Sequence, residues 1–155
     1  HRDLHSFPTR RSSDLDPESY WYGTRPLTEQ ARRVLALASD HDVRVAFSAD
    51  LASDLIAPWR HPTITIAYVD ARLPVDDAGL VPAEGRRDAS LITRWTDDPG
   101  LLSPAAPWRG AVEGLPVADP CQQWWDLLDL GGEDRAEAAD RLRTAILERT
   151  IPRVR

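Results

Sequence analysis

The 155-residue chain contains no lysine, no asparagine and no methionine, and it has a single cysteine, Cys121. Lysine and asparagine use AT-rich codons. Their absence, with all 19 basic residues being arginine, points to a GC-rich genome rather than to phosphate chemistry. One cysteine excludes a disulfide framework within the chain. No apolar run approaches the roughly 18 residues that a membrane-spanning helix needs, and no signal peptide is visible. These absences suit a cytoplasmic protein with no membrane partner.

Residues 1 to 15, HRDLHSFPTRRSSDL, differ from all that follows. They have no hydrophobic period, yet they hold two of the four histidines and one of the two phenylalanines. The HRDL of a kinase catalytic loop requires an asparagine four residues after the leucine, where this chain has Pro8. The peptide resembles one reading frame of a sequencing adapter instead. It is expected to be a disordered scar, outside the fold. The remaining residues, 16–155, suit a single domain with a real core. They carry 16 basic and 23 acidic residues, a net charge of −7. An acidic surface is a poor partner for nucleic acid.

Hydrophobic periodicity predicts a helix over 26–40, with Leu27, Ala31, Val34, Leu35 and Ala38 on one stripe. A short buried strand follows over 43–47. A helix is expected over 48–59, capped by Ser48 and ended by Pro58. Over 61–69, Ile64, Ile66 and Tyr68 alternate with Thr63, Thr65 and Ala67, the period of a strand. A helical turn is expected over 73–80, a strand over 89–95, a turn-rich stretch over 96–107 and a hairpin about Glu113-Gly114. Asp119-Pro120 opens a helix that stops at Gly131-Gly132. A second helix over 133–149 has acids early and arginines late, matching its dipole. The order implies an α/β domain, with α+β as the alternative: a small mixed sheet with flanking helices, ending in a helix pair.

The segment VAFSADLASDLIAPWRHPTITIAYV has the strand, small-residue turn, helix and Pro-Thr strand that open nucleotidyltransferase-like folds. Those folds carry Gly-Ser in the turn and Asp-x-Asp on the second strand, where the carboxylates hold metal. Here the turn is Ser48-Ala49, and the strand offers Thr63, Thr65 and Ala67. The scaffold therefore lacks its metal carboxylates. The plainer alternative is a generic β-α-β unit. Asp70 and Asp88 stand at strand ends and do not make the pair. Cys121, beside Trp124 and Trp125, reads as a buried core thiol. A nucleophile there would need a base, and outside the adapter-like peptide only His41 and His61 exist. No zinc spacing is present. Neighbouring residues on a helix diverge by about 100°, so one of Trp124 and Trp125 faces the core. The other covers a second domain or a partner.

YWYGTRPL, SADLASDLIAPWRHPT and LPVADPCQQWWDLLDLGGEDRAEAADRLR together resemble the C-terminal domain of actinobacterial AbiEi-type regulators, the antitoxins of type IV toxin–antitoxin systems. The resemblance covers most of residues 20 to 149 and is structural, not catalytic. It implies a non-enzymatic regulatory domain of an autorepressor, with no catalytic residue, metal or cofactor. It also implies that an N-terminal winged helix-turn-helix, through which DNA would be bound, is missing. A cognate toxin or that missing domain would be the partner, met by Trp59, Arg60, Trp125, Arg149, Arg153 and Arg155. Two readings compete with it: an active nucleotidyltransferase-like enzyme, and a small-molecule-sensing domain of an unrelated transcriptional repressor.

Overall fold

A computed structural model describes residues 17–59, 61–102 and 111–151. The adapter-like peptide lies outside them, as do Arg60, Arg153 and Arg155. The chain forms a five-stranded mixed sheet with flanking helices, and a helix pair follows. Strand β1 spans Glu18–Tyr22, helix α1 Leu27–Asp40, strand β2 Val45–Ser48, helix α2 Ala49–Ile56 and strand β3 Thr65–Val69. A 3₁₀ turn, Val75–Ala78, leads to the two-residue strand β4, Val81–Pro82. A second 3₁₀ turn, Arg86–Asp88, leads to β5, Leu91–Trp95, and a short helix α3, Pro99–Leu102. The hairpin β6, Ala111–Val112, and β7, Leu115–Pro116, turns at Glu113-Gly114, both with positive φ. Helices α4, Pro120–Leu130, and α5, Glu133–Glu148, complete the described chain.

The sheet order is β2-β3-β5-β1-β4, parallel only between β3 and β5. β2 is covered at its outer edge: Phe47 bridges Val117, and Ala118 N–H donates to Phe47 O at 2.8 Å. All of β2 and β3 is buried, which explains their nearly continuous apolar sequence. One face of the sheet, with Val45, Phe47, Ala67 and Leu91, packs with Ala31, Val34 and Ala38 of α1. Ile64, Ile66, Tyr68 and Ile92 form a second cluster. A third joins Ala52 and Ile56 of α2 to Leu127 of α4 and Ala138, Ala139 and Leu142 of α5. No helix among the described residues is long and apolar enough to cross a membrane.

Three local expectations are corrected. Ser48 occupies the N-cap position of α2, but its side chain makes no capping bond, because it bonds Asp126 across the core. Cys121 is exposed, not buried. Its neighbours Pro120, Gln123 and Leu127 occupy the inward face of α4, so the helix turns Cys121 outward. The arginines of α5 do not reach its last turn. The helix ends at Glu148, and Arg149 takes the left-handed C-cap conformation with φ 56°. The boundaries of α4 match their signals: Asp119 accepts from Cys121 N–H at 2.8 Å, Pro120 opens the first turn, and Gly131 takes φ 77°. Strand β1 was not anticipated from the sequence.

Candidate functional site

Two clusters of charged side chains hold the elements together, one between the sheet and α4 and one between α2 and α5. The first is built on Asp126, which α4 carries fully buried into the sheet. Its Oδ2 accepts from Ser48 Oγ at 2.6 Å, and the Tyr68 hydroxyl donates to the same carboxylate at 2.8 Å. Arg94 Nη1 reaches Oδ1 at 2.9 Å, and Gln122 Nε2 donates to it at 3.1 Å. Arg94 also pairs with Glu18 on β1 at 2.6 Å and with Asp129 at 2.9 Å. Arg86 donates to both oxygens of Glu18. β1, β2, β3, β5 and α4 are thus tied by one network.

Burial raises the Asp126 carboxyl above the usual carboxylate range, while bonds from Ser48 and Tyr68 and the charge of Arg94 oppose the rise. Burial and the Asp126 charge also raise the Tyr68 phenol, so it stays protonated and donates. Burial raises Glu18 too, but hydrogen bonds from Arg86, Tyr20 and Arg94 outweigh it and hold Glu18 at about 2. Because the folded value lies below the ordinary 4.5, Glu18 contributes stability that is fully present above that value. It is lost as pH falls toward 2. The expected contribution, discounted for solvent screening, is about 1–2 kcal/mol. Asp126 works with the opposite sign, weakening the fold as pH rises through its titration. Urea midpoints of the native chain and of Glu18→Gln, compared between about pH 2.5 and 6, should converge on acidification. A gap of constant size would show that Glu18 makes no such contribution.

The second cluster centres on Asp50 of α2, only 3% exposed. Arg135 of α5 grips it with Nε at 2.8 Å and Nη2 at 3.1 Å, a bidentate pair. Thr63 adds its backbone N–H and its hydroxyl, both at 3.2 Å. The hydroxyl of Thr65 donates to Ser48 O at 3.1 Å, and Ala67 lies in the core against α1. Ala49, in the turn, has φ 65°, a left-handed conformation that costs a residue with a Cβ about 1–2 kcal/mol. The structure therefore gathers Ser48, Ala49, Thr63 and Thr65 around the β2–α2 turn. Their polar groups go to internal partners.

The residues expected to face a partner fare differently. Trp59 is partly exposed, with the Arg141 guanidinium 3.4 Å above its ring centre. Trp125 is 60% exposed, whereas Trp124 packs against the helix cluster. Arg149 is exposed. Asp70 is paired with Arg44 at 2.8 Å, and His41 sits exposed at the end of α1. Among the described residues no three of His, Cys, Asp and Glu gather as metal ligands would. A cavity of about 530 Å³ opens beside the first cluster, lined by Glu18, Tyr20, Tyr68, Arg94, Trp95 and Thr96.

Sequence reasoning missed Asp50, Asp126, Glu18, Arg94 and Arg135. The available signal was a charge inside an apolar pattern: Asp50 before Leu51-Ala52, Asp126 before Leu127-Leu128, Arg94 within a strand. Comparison with protein-family models, with curated proteins and with solved structures finds no match.

Proposed function

We propose that this chain is the non-enzymatic regulatory domain of an AbiEi-type antitoxin and autorepressor, acting through contact with a protein partner and not through chemistry on a substrate. One observation carries the reading: the positions that would serve a nucleotidyltransferase are spent on the fold. Thr63 braces Asp50, Thr65 ties β3 to the backbone of Ser48, and the Ser48 hydroxyl is fully buried against Asp126. A serine hydroxyl fully buried against a carboxylate has no access to substrate. Asp50, the acid beside Thr63, already has Arg135 as its counter-ion. DNA contact would fall to a separate winged helix-turn-helix, since this domain's charge is negative.

The test is co-expression with the toxin of the same operon, together with an assay for magnesium-dependent transfer of labelled nucleotide. Relief of toxicity without labelling is the expected result. Labelling that survives purification of the chain would establish the enzyme reading instead. The cavity beside Tyr68 favours small-molecule sensing as the second reading, because three aromatic rings and Arg94 line it. A melting shift on adding a metabolite, abolished by narrowing the cavity with Thr96→Trp, would support that reading.

A further inference from the structure

A cleft of about 600 Å³ lies where the end of β1, the 3₁₀ turn before β5 and the junction of α4 and α5 meet. Small-molecule sites occupy about 300–1,000 Å³. Tyr22, Ile64, Ala89 and Leu130 give the cleft an apolar side, and Tyr22 is 47% exposed. The polar side is made mostly of donors. Arg86, Arg87 and Arg135 line it, with Asp88 as the one carboxylate of the described lining. Its two hydroxyls are already spent. Ser90 Oγ accepts from Gly23 N–H at 2.9 Å and donates to Gln30 Oε1, and Thr63 Oγ1 donates to Asp50. Two of the three guanidiniums are committed as well, Arg86 to Glu18 and Asp129, Arg135 to Asp50. Arg87 differs. It is exposed, and among the described residues it has no hydrogen-bond or ion-pair partner, not even Asp88 beside it.

We propose that this cleft binds a small organic anion, a flat aromatic ring carrying one carboxylate or phosphate group, with the ring against Tyr22 and the oxyanion on Arg87. An unpaired guanidinium presents five N–H donors in a fork that matches an oxyanion. The lining has few free acceptors, so it favours a ligand rich in acceptors over one rich in donors. Arg86 and Arg135 add shape rather than free charge. The acids that hold them, Glu18, Asp129 and Asp50, stand outside the lining and do not take the place of a ligand. A flat ring suits the apolar side, because stacking on Tyr22 covers aromatic surface that is otherwise in water. The cleft shares no lining residue with the cavity beside Tyr68, and the assignment does not rest on the regulatory reading.

The probes are naphthoate and naphthyl phosphate, with naphthamide as the neutral control, each titrated into the full chain by calorimetry. Saturable binding by at least one anion and none by the amide is the expected result, and the tighter anion identifies carboxylate or phosphate. Arg87→Gln should weaken binding about tenfold or more, as the loss of a charge-assisted hydrogen bond implies. It should leave the melting temperature of the free protein unchanged, because Arg87 holds no described residue in the fold. Tyr22→Ser should weaken binding about threefold or more. Arg32→Gln, at an exposed arginine of α1 that also has no partner among the described residues, should change nothing. Absence of saturable binding by either anion up to about 10 mM would overturn the proposal, as would equal binding of the amide. Undiminished binding by Arg87→Gln, with loss of binding in Thr96→Trp, would move the ligand to the cavity beside Tyr68 and sink this site.

Discussion

Replacing Asp126 with alanine should cost the fold about 3 kcal/mol, which lowers the melting temperature of a domain this size by roughly 10 °C. The size follows from what is left behind. Ser48 Oγ and the Tyr68 hydroxyl, both buried, lose the acceptor they share. Each stranded buried donor costs about 1–3 kcal/mol. Arg94 does not add the full penalty of an orphaned charge, because Glu18 and Asp129 still hold it. Asp126→Asn separates shape from chemistry. It fills the same space, but its amide group must face one of four donors, so it should recover little of the loss. Equilibrium urea unfolding measures both. A loss below about 1 kcal/mol for alanine would mean that the network does not stabilise the fold as its geometry implies.

Arg135→Met should be at least as damaging, at about 3–5 kcal/mol. Methionine keeps much of the aliphatic stem packing, so the charge effect dominates. Asp50 would remain buried with only the neutral donors of Thr63. An unpaired buried carboxylate is costly in a way that the intact pair is not, which gives a second, sharper expectation. Adding Asp50→Leu to Arg135→Met should restore stability relative to the single variant. The double-mutant cycle should return a coupling of about 2 kcal/mol or more. Purely additive losses would show that the two side chains do not depend on each other.

Both expectations rest on residues that the sequence hides, and the reason is distance along the chain. Asp126 finds Ser48 across 78 residues and Tyr68 across 58, and Arg135 finds Asp50 across 85. No local pattern links such positions. Periodicity marks which residues of a segment share a face, but it does not say which charges meet when faces close. Strand β1 was missed for the same reason. Its ladder partner β5 lies about seventy residues away, with Trp21 Nε1 bonded to Thr93 across 72. Alone, Glu18–Tyr22 is a short run of mixed polarity.

What the sequence determined by itself was the local grammar. Asp119-Pro120 and Gly131-Gly132 set the ends of α4 through capping and left-handed φ, and the alternation of Ile64, Ile66 and Tyr68 set the faces of β3. These signals act between neighbours, so neighbours suffice to read them. The tertiary structure decided the rest. It took Ser48 from a cap to a core hydrogen bond, because a buried carboxylate is a stronger acceptor need to satisfy than one helix terminus. It set the rotation of α4 by docking Leu127 against α2 and α5. That rotation sent Cys121 outward with Trp125 and Leu128 while Trp124 packed inside, since a helix has one face to bury and the contacts on that face choose it.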